Sequence, residues 1–489
     1  MDSIKKRGIR TLFGDKAFYK MVIAVMLPIV IQNGVTNLVN LLDNVMVGQL
    51  STESMSGVSI VNQFVLIFYL AIFGGMSGPG IYTAQFHGKG DEEGERKSFL
   101  FKIYIALAAA VSGIVIFSIF GENFISLFLH DGSQTGDLEL TMQEGLKYLK
   151  ISMIGFIPYA LSNAFAATLR ETGKTVLPMI SGIAAVGTNF ALNIVLIFGY
   201  LGFPAMGVEG AAIATVISRF VELIILVIGT IKHKADNAFI RNLKGSFRIG
   251  KKLASQMLIK SIPLLTNEIL WSLAIVMRNQ TYSTRGLDVV GAQNIASTLG
   301  NLFNVVYLSV GTAVAILIGN LLGASEIEKA KDHSKKLIAF SVICAAVTGV
   351  FMAISAPFFP KLYQTSDEIR ELATYMLFVQ ACFIPIDAIC NSAYFTLRSG
   401  GRIFWTIVAD SGFMWTVATP LAMILAYGTN ISIWILFPIC YGTAVLKATL
   451  SLTLLKVVPW ARSIVGKKEQ SPDQATEDTD AAHPDEQTQ

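Results

Sequence analysis

Apolar stretches of about 20 residues succeed one another twelve times along this chain. They lie at roughly 21–43, 58–82, 99–120, 147–168, 176–198, 208–230, 257–281, 290–318, 337–357, 375–397, 404–426 and 433–455. Each is long enough to cross the ~30 Å hydrocarbon of a bilayer as a helix. No water reaches backbone groups there, so every amide and carbonyl must be satisfied within its own segment, which a helix does. The stretches are apolar around their whole circumference rather than along one stripe. With 53% hydrophobic and 15% charged residues and a mean hydropathy of +0.57, these faces meet lipid. The expected fold class is an all-α membrane protein of twelve transmembrane helices.

The order of features along the helices repeats. Pro28, the pair Gln32-Asn33 and Asp43 are followed about 235 residues later by Pro263, Asn267-Glu268 and Arg278. Gly88-Lys89-Gly90-Asp91 has its counterpart in Gly323-Ala324-Ser325-Glu326. Phe156-Ile157-Pro158 recurs as Phe383-Ile384-Pro385, and Thr168-Leu169-Arg170 as Thr396-Leu397-Arg398. A duplicated membrane chain is the mark of a transporter. Six crossings per half start both halves on the same side, so the repeats are parallel, related by an axis along the membrane normal. Two pseudo-symmetric six-helix lobes, 21–230 and 257–455, should enclose one cleft.

Lys and Arg resist translocation and collect in the loops after even-numbered helices; the loops after odd-numbered helices hold only Lys147, Arg285, Lys361 and Arg370. This places both termini in the cytoplasm of a multi-pass protein of the cell membrane, by expectation a bacterial inner membrane. Residues 1–20, with Lys5, Lys6, Arg7 and Arg10 beside Leu12, Phe13 and Phe18, read as an interfacial helix. Residues 231–256 form a basic cytoplasmic bridge, either lying on anionic headgroups or serving topology alone. Residues 456–489, acidic and without aromatics from Glu469 onward, read as a disordered cytoplasmic tail. Cys344, Cys382, Cys390 and Cys440 all fall within spans and read as packing residues.

Inside a bilayer a polar side chain must find a partner or a cavity, which makes its position informative. Asn33, Thr36, Asn37, Asn40 and Asp43 form one stripe on the first helix, and Asn189 and Asn193 lie one turn apart on the fifth. A longer stripe, Gln293 to Asn304, marks the eighth. Such stripes line water or hold cations through carbonyl oxygens; the alternative is interhelical hydrogen bonding worth about 0.6–2 kcal/mol per contact. Among carboxylates, Glu222 stands three residues after Arg219 and reads as a self-neutralising pair, and Glu209 as solvated. Asp410 has no partner evident in sequence, and packing and supporting roles stay open for it. Asp43, Glu268 and Asp387 belong to proline-bearing repeats. Pro28 and Pro263 each remove a backbone hydrogen bond and give their helices a place to flex.

At these residues the chain resembles the multidrug and toxic compound extrusion (MATE) family, in its NorM-like branch. The resemblance rests on Pro28, on Asp43-Asn44-Val45-Met46-Val47-Gly48, on Asn189-Phe-Ala-Leu-Asn193, and on Met206-Gly207-Val208-Glu209-Gly210-Ala211-Ala212. It implies a V-shaped pair of six-helix bundles that exports amphipathic, often cationic compounds in exchange for Na+ or H+. It implies an N-lobe cation site at Asp43, with Asn189 and Asn193 as its network and Asn33 and Asn37 on the same stripe. In the C-lobe it implies Asp387, Glu268 and the adjoining Asn267, so that Na+ could sit at Asp43 or between Glu268 and Asp387. Glu268 stands about one turn earlier than the branch's glutamate, with Trp271 at the nearer position.

The function expected is secondary active antiport, with no cofactor beyond the coupling ion. Organic small molecules and lipid are the expected partners, nucleic acid is not one, and the expected state is a monomer. The alternative is a flippase for lipid-linked oligosaccharide precursors, which would need Arg and Lys in the cleft to hold a pyrophosphate. Embedded charge read as mainly acidic, with Arg278 the one unpaired basic candidate, weighs against it. An enzyme would need a nucleophile or metal set, and no HExxH, GxSxG or His/Cys cluster occurs.

Overall fold

A computed structural model of the protein describes residues 12–47, 50, 52–127, 137–241, 248–363 and 365–466, without the side chains of 40–45, 47, 52 and 287. Its described residues form twelve long apolar helices and no strand. In the N-lobe these are α1 (Lys16–Val47), α2 (Thr52–Lys89), α3 (Glu92–Ser126), α4 (Leu138–Glu171), α5 (Val176–Phe198) and α6 (Gly207–Lys232). In the C-lobe they are α7 (Lys251–Ser283), α8 (Leu287–Gly323), α9 (Ile327–Ser355), α10 (Asp367–Ser399), α11 (Ile403–Gly428) and α12 (Ile433–Val457). Each apolar stretch became one helix.

Several helices outrun their apolar stretch because their ends are satisfied by polar caps. The Asp91 carboxylate accepts from the Gly94 amide at 2.8 Å to start α3, and Asp137 accepts from the Glu139 amide at 2.9 Å to start α4; each cap answers an orphan amide of the first turn. Two helices are irregular. A 3₁₀ turn at Met153–Gly155 interrupts α4, and α11 widens into π-helical turns at Val408–Gly412 and Met414–Ala418.

Each lobe has its own core. In the N-lobe Phe68 stacks on Phe156 at 4.2 Å; in the C-lobe Tyr282 and Phe437 pack 5.4 Å apart. A third cluster joins the lobes, setting Phe18, Val22 and Ile29 of α1 against Val310, Val314 and Leu322 of α8.

The duplication is visible at the seam between α2 and α8. A Cβ on Gly88 would stand 1.8 Å from the Asn320 carbonyl oxygen, and one on Gly323 would stand 1.9 Å from that of Gln85. The two contacts exchange repeat-equivalent residues, as a two-fold axis between the helices requires. Just beyond the crossing, Gly90 has φ +80° and its equivalent Ser325 has φ +64°. The same left-handed turn is thus kept in the second repeat, where glycine is absent.

The tail and the bridge depart from expectation. Residues 458–466 pack on the base of the molecule instead of being disordered. Trp460 is buried, Arg402 Nε donates to the Pro459 carbonyl at 3.0 Å, and the Ile464 amide donates to Gln85 Oε1 at 2.7 Å. Apolar Trp460, Ile464 and Val465 supply the anchors, and residues 467–489 lie outside the described part. In the bridge, Phe239 is fully buried against Phe99, ring centroids 4.9 Å apart, so this stretch docks on the N-lobe; 242–247 lie outside the described residues. Within residues 1–20, 1–11 are outside the description, and Phe18 is buried between the lobes rather than interfacial. Cys390 and Cys440 are buried, whereas Cys382 is exposed on its helix, where no packing needs it.

Candidate transport site

In the N-lobe the structure separates the expected residues into two groups. Asn193 Nδ2 donates to Asn189 Oδ1 at 3.3 Å along one face of α5, and Asn189 Nδ2 donates to Thr215 Oγ1 of α6 at 3.3 Å. Both amides are buried. Asn33 and Asn37 of α1 turn instead toward the other lobe. Asn33 Nδ2 donates to Ser309 Oγ at 3.2 Å, and Asn37 Nδ2 approaches the Asn301 backbone carbonyl at 3.4 Å, so the α1 stripe lies against α8. The Asp43 side chain lies outside the described residues. Gln32, next on the same stripe, sits against Gly182 of α5, leaving α1 between the two groups.

The C-lobe residues form a more connected arrangement. Asn267 of α7 is fully buried; its Nδ2 donates to Asp410 Oδ2 at 2.9 Å, and its Oδ1 accepts from Ser411 Oγ at 2.6 Å. Asp410 also takes Lys447 Nζ of α12 at 2.7 Å. The π-helical stretch of α11 carries Asp410 and Ser411, and a π-turn is a frequent way to re-aim side chains at a functional position. Glu268, the next residue along α7, accepts a hydrogen bond from the Tyr394 hydroxyl at 3.0 Å. Lys447 and Arg278 are the cations near Asp387, and the Arg278 guanidinium lies over the Tyr441 ring at 5.3 Å. Among the described residues no three His, Cys, Asp or Glu side chains converge on one point.

Two sequence readings change here. Asp410, for which no partner was evident, has two. Embedded charge does not lean acidic, and Arg278 is not the one basic candidate. Lys447 lies in the middle of α12, Lys102 is fully buried on α3 and pairs with Glu171, and Arg398 is 8% exposed. Lys447 had a readable signal, a lysine near the centre of an apolar run and too deep to reach either surface cheaply. Lys102 and Arg170 had a weaker one, since they stand near helix ends, where long cations ordinarily snorkel. The Arg219–Glu222 pair is formed at 3.4 Å as its spacing implied, with the guanidinium 5.0 Å from the Tyr159 ring centroid.

Between the lobes lies an open cavity, about 810 Å³ when the solvent at its mouth is included, bordered by α2, α4, α8 and α10. Its wall includes Phe73, Ile81, Arg170, Glu171, Phe395 and Arg398. The repeat-equivalent arginines Arg170 and Arg398 thus share one space, bounded by helices of both lobes.

The MatE family model matches this chain twice, over residues 28–195 and 263–427, once per lobe. The chain belongs to the MatE family. It is a NorM-like MATE transporter, a multi-pass membrane protein and not an enzyme. It is 25% identical to the Probable multidrug resistance protein YoeA of Bacillus subtilis, covering 86% of this chain and 90% of that one. The Probable multidrug resistance protein NorM of Thermotoga maritima is also 25% identical, over 83% of this chain and 85% of its own. A solved multidrug resistance MATE family transporter of the MOP superfamily, in an outward-facing conformation, superposes with a TM-score of 0.80 at 20% identity over 92% of this chain and 98% of its own.

Proposed function

We propose that this MATE transporter is a secondary active antiporter that exports amphipathic, often cationic compounds in exchange for Na+ or H+. The observation that carries the reading is the C-lobe network of Asn267, Glu268, Asp387, Asp410 and Lys447, set among membrane-spanning helices. Ionisable groups at such depth are costly, and ion or proton pathways are the usual reason a membrane protein keeps them. Its proline-bearing helices α7 and α10 could transmit a change of occupancy to the lobe as a whole. The basic ends of the helices face the cytoplasm in this reading. The seam contacts from the Gly88–Gly323 crossing to the Asn37–Asn301 bond hold the lobes together on that side. One elementary charge moving through 100 mV supplies about 2.3 kcal/mol toward export.

The relatives named as multidrug resistance proteins support a broad range of exported compounds. The charge argument once set against a flippase no longer holds, since Lys102, Arg170, Arg398 and Lys447 are all embedded; it is the family match that favours the antiporter. The test is ethidium efflux from vesicles under an imposed sodium gradient and, separately, an imposed proton gradient. Efflux driven by at least one gradient supports antiport, and identifies the ion. Efflux indifferent to both overturns it.

A further inference from the structure

The cavity between the lobes is lined by two guanidinium groups, Arg170 and Arg398, with which no carboxylate among the described residues forms an ion pair, although Glu171 shares the wall. In and near it stand the buried cations Lys102 and Arg398, the half-buried Arg170 and Arg219, and the carboxylates Glu171, Glu222 and Glu268. All three carboxylates are engaged: Glu171 by Lys102 and Glu222 by Arg219, Glu268 by the Tyr394 hydroxyl. Among the described residues no ion pair forms at Arg170 or Arg398. Arg398 is 8% exposed, and its buried Nη1 has no hydrogen-bond acceptor. The guanidinium is instead held by aromatic faces, with centroids at 5.3 Å for Phe395 and, across the seam, 5.6 Å for Phe73. Arg170 Nε is likewise buried without an acceptor.

A buried cation with unused donors is expensive, and it is held in place here by packing that leaves its donors beside an open space. Guanidinium forks match carboxylate and phosphate oxygens. The rest of the wall is mixed, with apolar Phe73, Ile81, Ile316 and Phe395 beside Asn163 and Glu171, the latter engaged by Lys102. We propose that this cavity binds an anionic amphiphile, its carboxylate or phosphate held by Arg170 and Arg398 and its alkyl part lying along α2 and α8. The site adjoins the C-lobe carboxylates through Tyr394, which donates to Glu268 and lies beside the Arg398 guanidinium, but binding to it can be measured whichever ion drives transport. Because it lies between the lobes, its occupant bridges them and favours the arrangement in which the seam is closed.

The test is equilibrium binding to the full-length protein in phosphatidylcholine nanodiscs. Radiolabelled dodecanoate is the probe; dodecyl phosphate, phosphatidylglycerol, dodecanol and dodecyltrimethylammonium are the competitors. Saturable dodecanoate binding should be displaced by an anionic competitor and not by the neutral or cationic one. Affinity should fall at least tenfold in Arg398→Gln and in Arg170→Gln, less in Arg398→Lys, and not at all in the surface control Lys234→Gln. Displacement by dodecyl phosphate alone identifies a soluble anion as the occupant; displacement by phosphatidylglycerol, with that lipid co-purifying in native mass spectra of wild type but not of Arg398→Gln, identifies a lipid headgroup. If Arg398→Gln does not fold, Arg170→Gln and Arg398→Lys carry the test. Equal competition by dodecanol, or wild-type affinity in every folded arginine variant, overturns the proposal. Binding is read without transport, so a failure of the antiport reading leaves this result standing.

Discussion

Lys447 shows what a single side chain decides in a bilayer. Its ammonium and the Asp410 carboxylate are 2.7 Å apart and each about 16% exposed, so removing one partner strands the other in low dielectric. Lys447→Met should cost about 3 kcal/mol, the range for breaking a buried pair, seen as a clear drop in melting temperature in detergent. Lys447→Met/Asp410→Asn should cost less than the sum of the single variants, because no bare charge remains; strict additivity would mean that the pair is not coupled. At the proposed ion sites, Asp43→Asn should abolish coupled export at matched expression, while Asp387→Asn leaves partial activity. Unimpaired ethidium efflux in Asp43→Asn would remove that residue from the mechanism. Asp43 and Asp387 could be named from sequence because a lone acid in an apolar run is conspicuous. That Asn267 rather than Glu268 would bind Asp410 could not, because adjacent helix residues differ by 100° in direction and only the neighbouring helices fix which way each points.

The helix ends that meet at Gly88 and Gly323 are where element packing is least forgiving. A methyl at either position would fall inside the opposite carbonyl, and backbone cannot yield as a flexible side chain can. Gly323→Val should therefore spread α2 from α8 and open the cavity from the basic end. In a cysteine-free background, Thr312→Cys on the cavity wall should react faster with a polar maleimide when Gly323→Val is present, while the same substitution at exposed Gly428, where a Cβ meets nothing, changes nothing. Equal rates would show that the crossing does not gate access. Helix existence was legible from hydropathy alone. Where helices stop was less so, because caps such as Asp91 and Asp137 extend them past the hydrocarbon, and the π-turns of α11 left no periodicity to read.

For the whole molecule, topology is the open geometric statement, and it has a direct measurement. Thr429 lies exposed between α11 and α12, and Lys234 lies exposed after α6, at opposite ends of the helices. With the basic end cytoplasmic, an impermeant thiol reagent applied to intact cells should label Thr429→Cys and spare Lys234→Cys. The reverse pattern would invert the transporter and change the meaning of every gradient experiment. The lobes are tied by a seam in which Gln85 of α2 donates to the Ser399 carbonyl at 2.9 Å while accepting from Ile464. A conformational cycle that opens the basic end must break these bonds, so the ordered tail residues 458–466 take part in it.

The solvent, the number of helices, the duplication and the family could all be read along the chain, because each rests on local composition or on residue order. Hydrocarbon leaves the backbone one solution per segment, so twenty apolar residues suffice to read a helix. Only the tertiary structure decided which polar groups meet. Asn33 finds Ser309, Asp410 finds Lys447, and Arg170 and Arg398 come to one cavity, each pair being set by the rotation and crossing of separate helices. Sequence distance carries no record of those angles; they follow from packing side chains of both lobes together, as at Gly88 and Gly323, where two backbones touch.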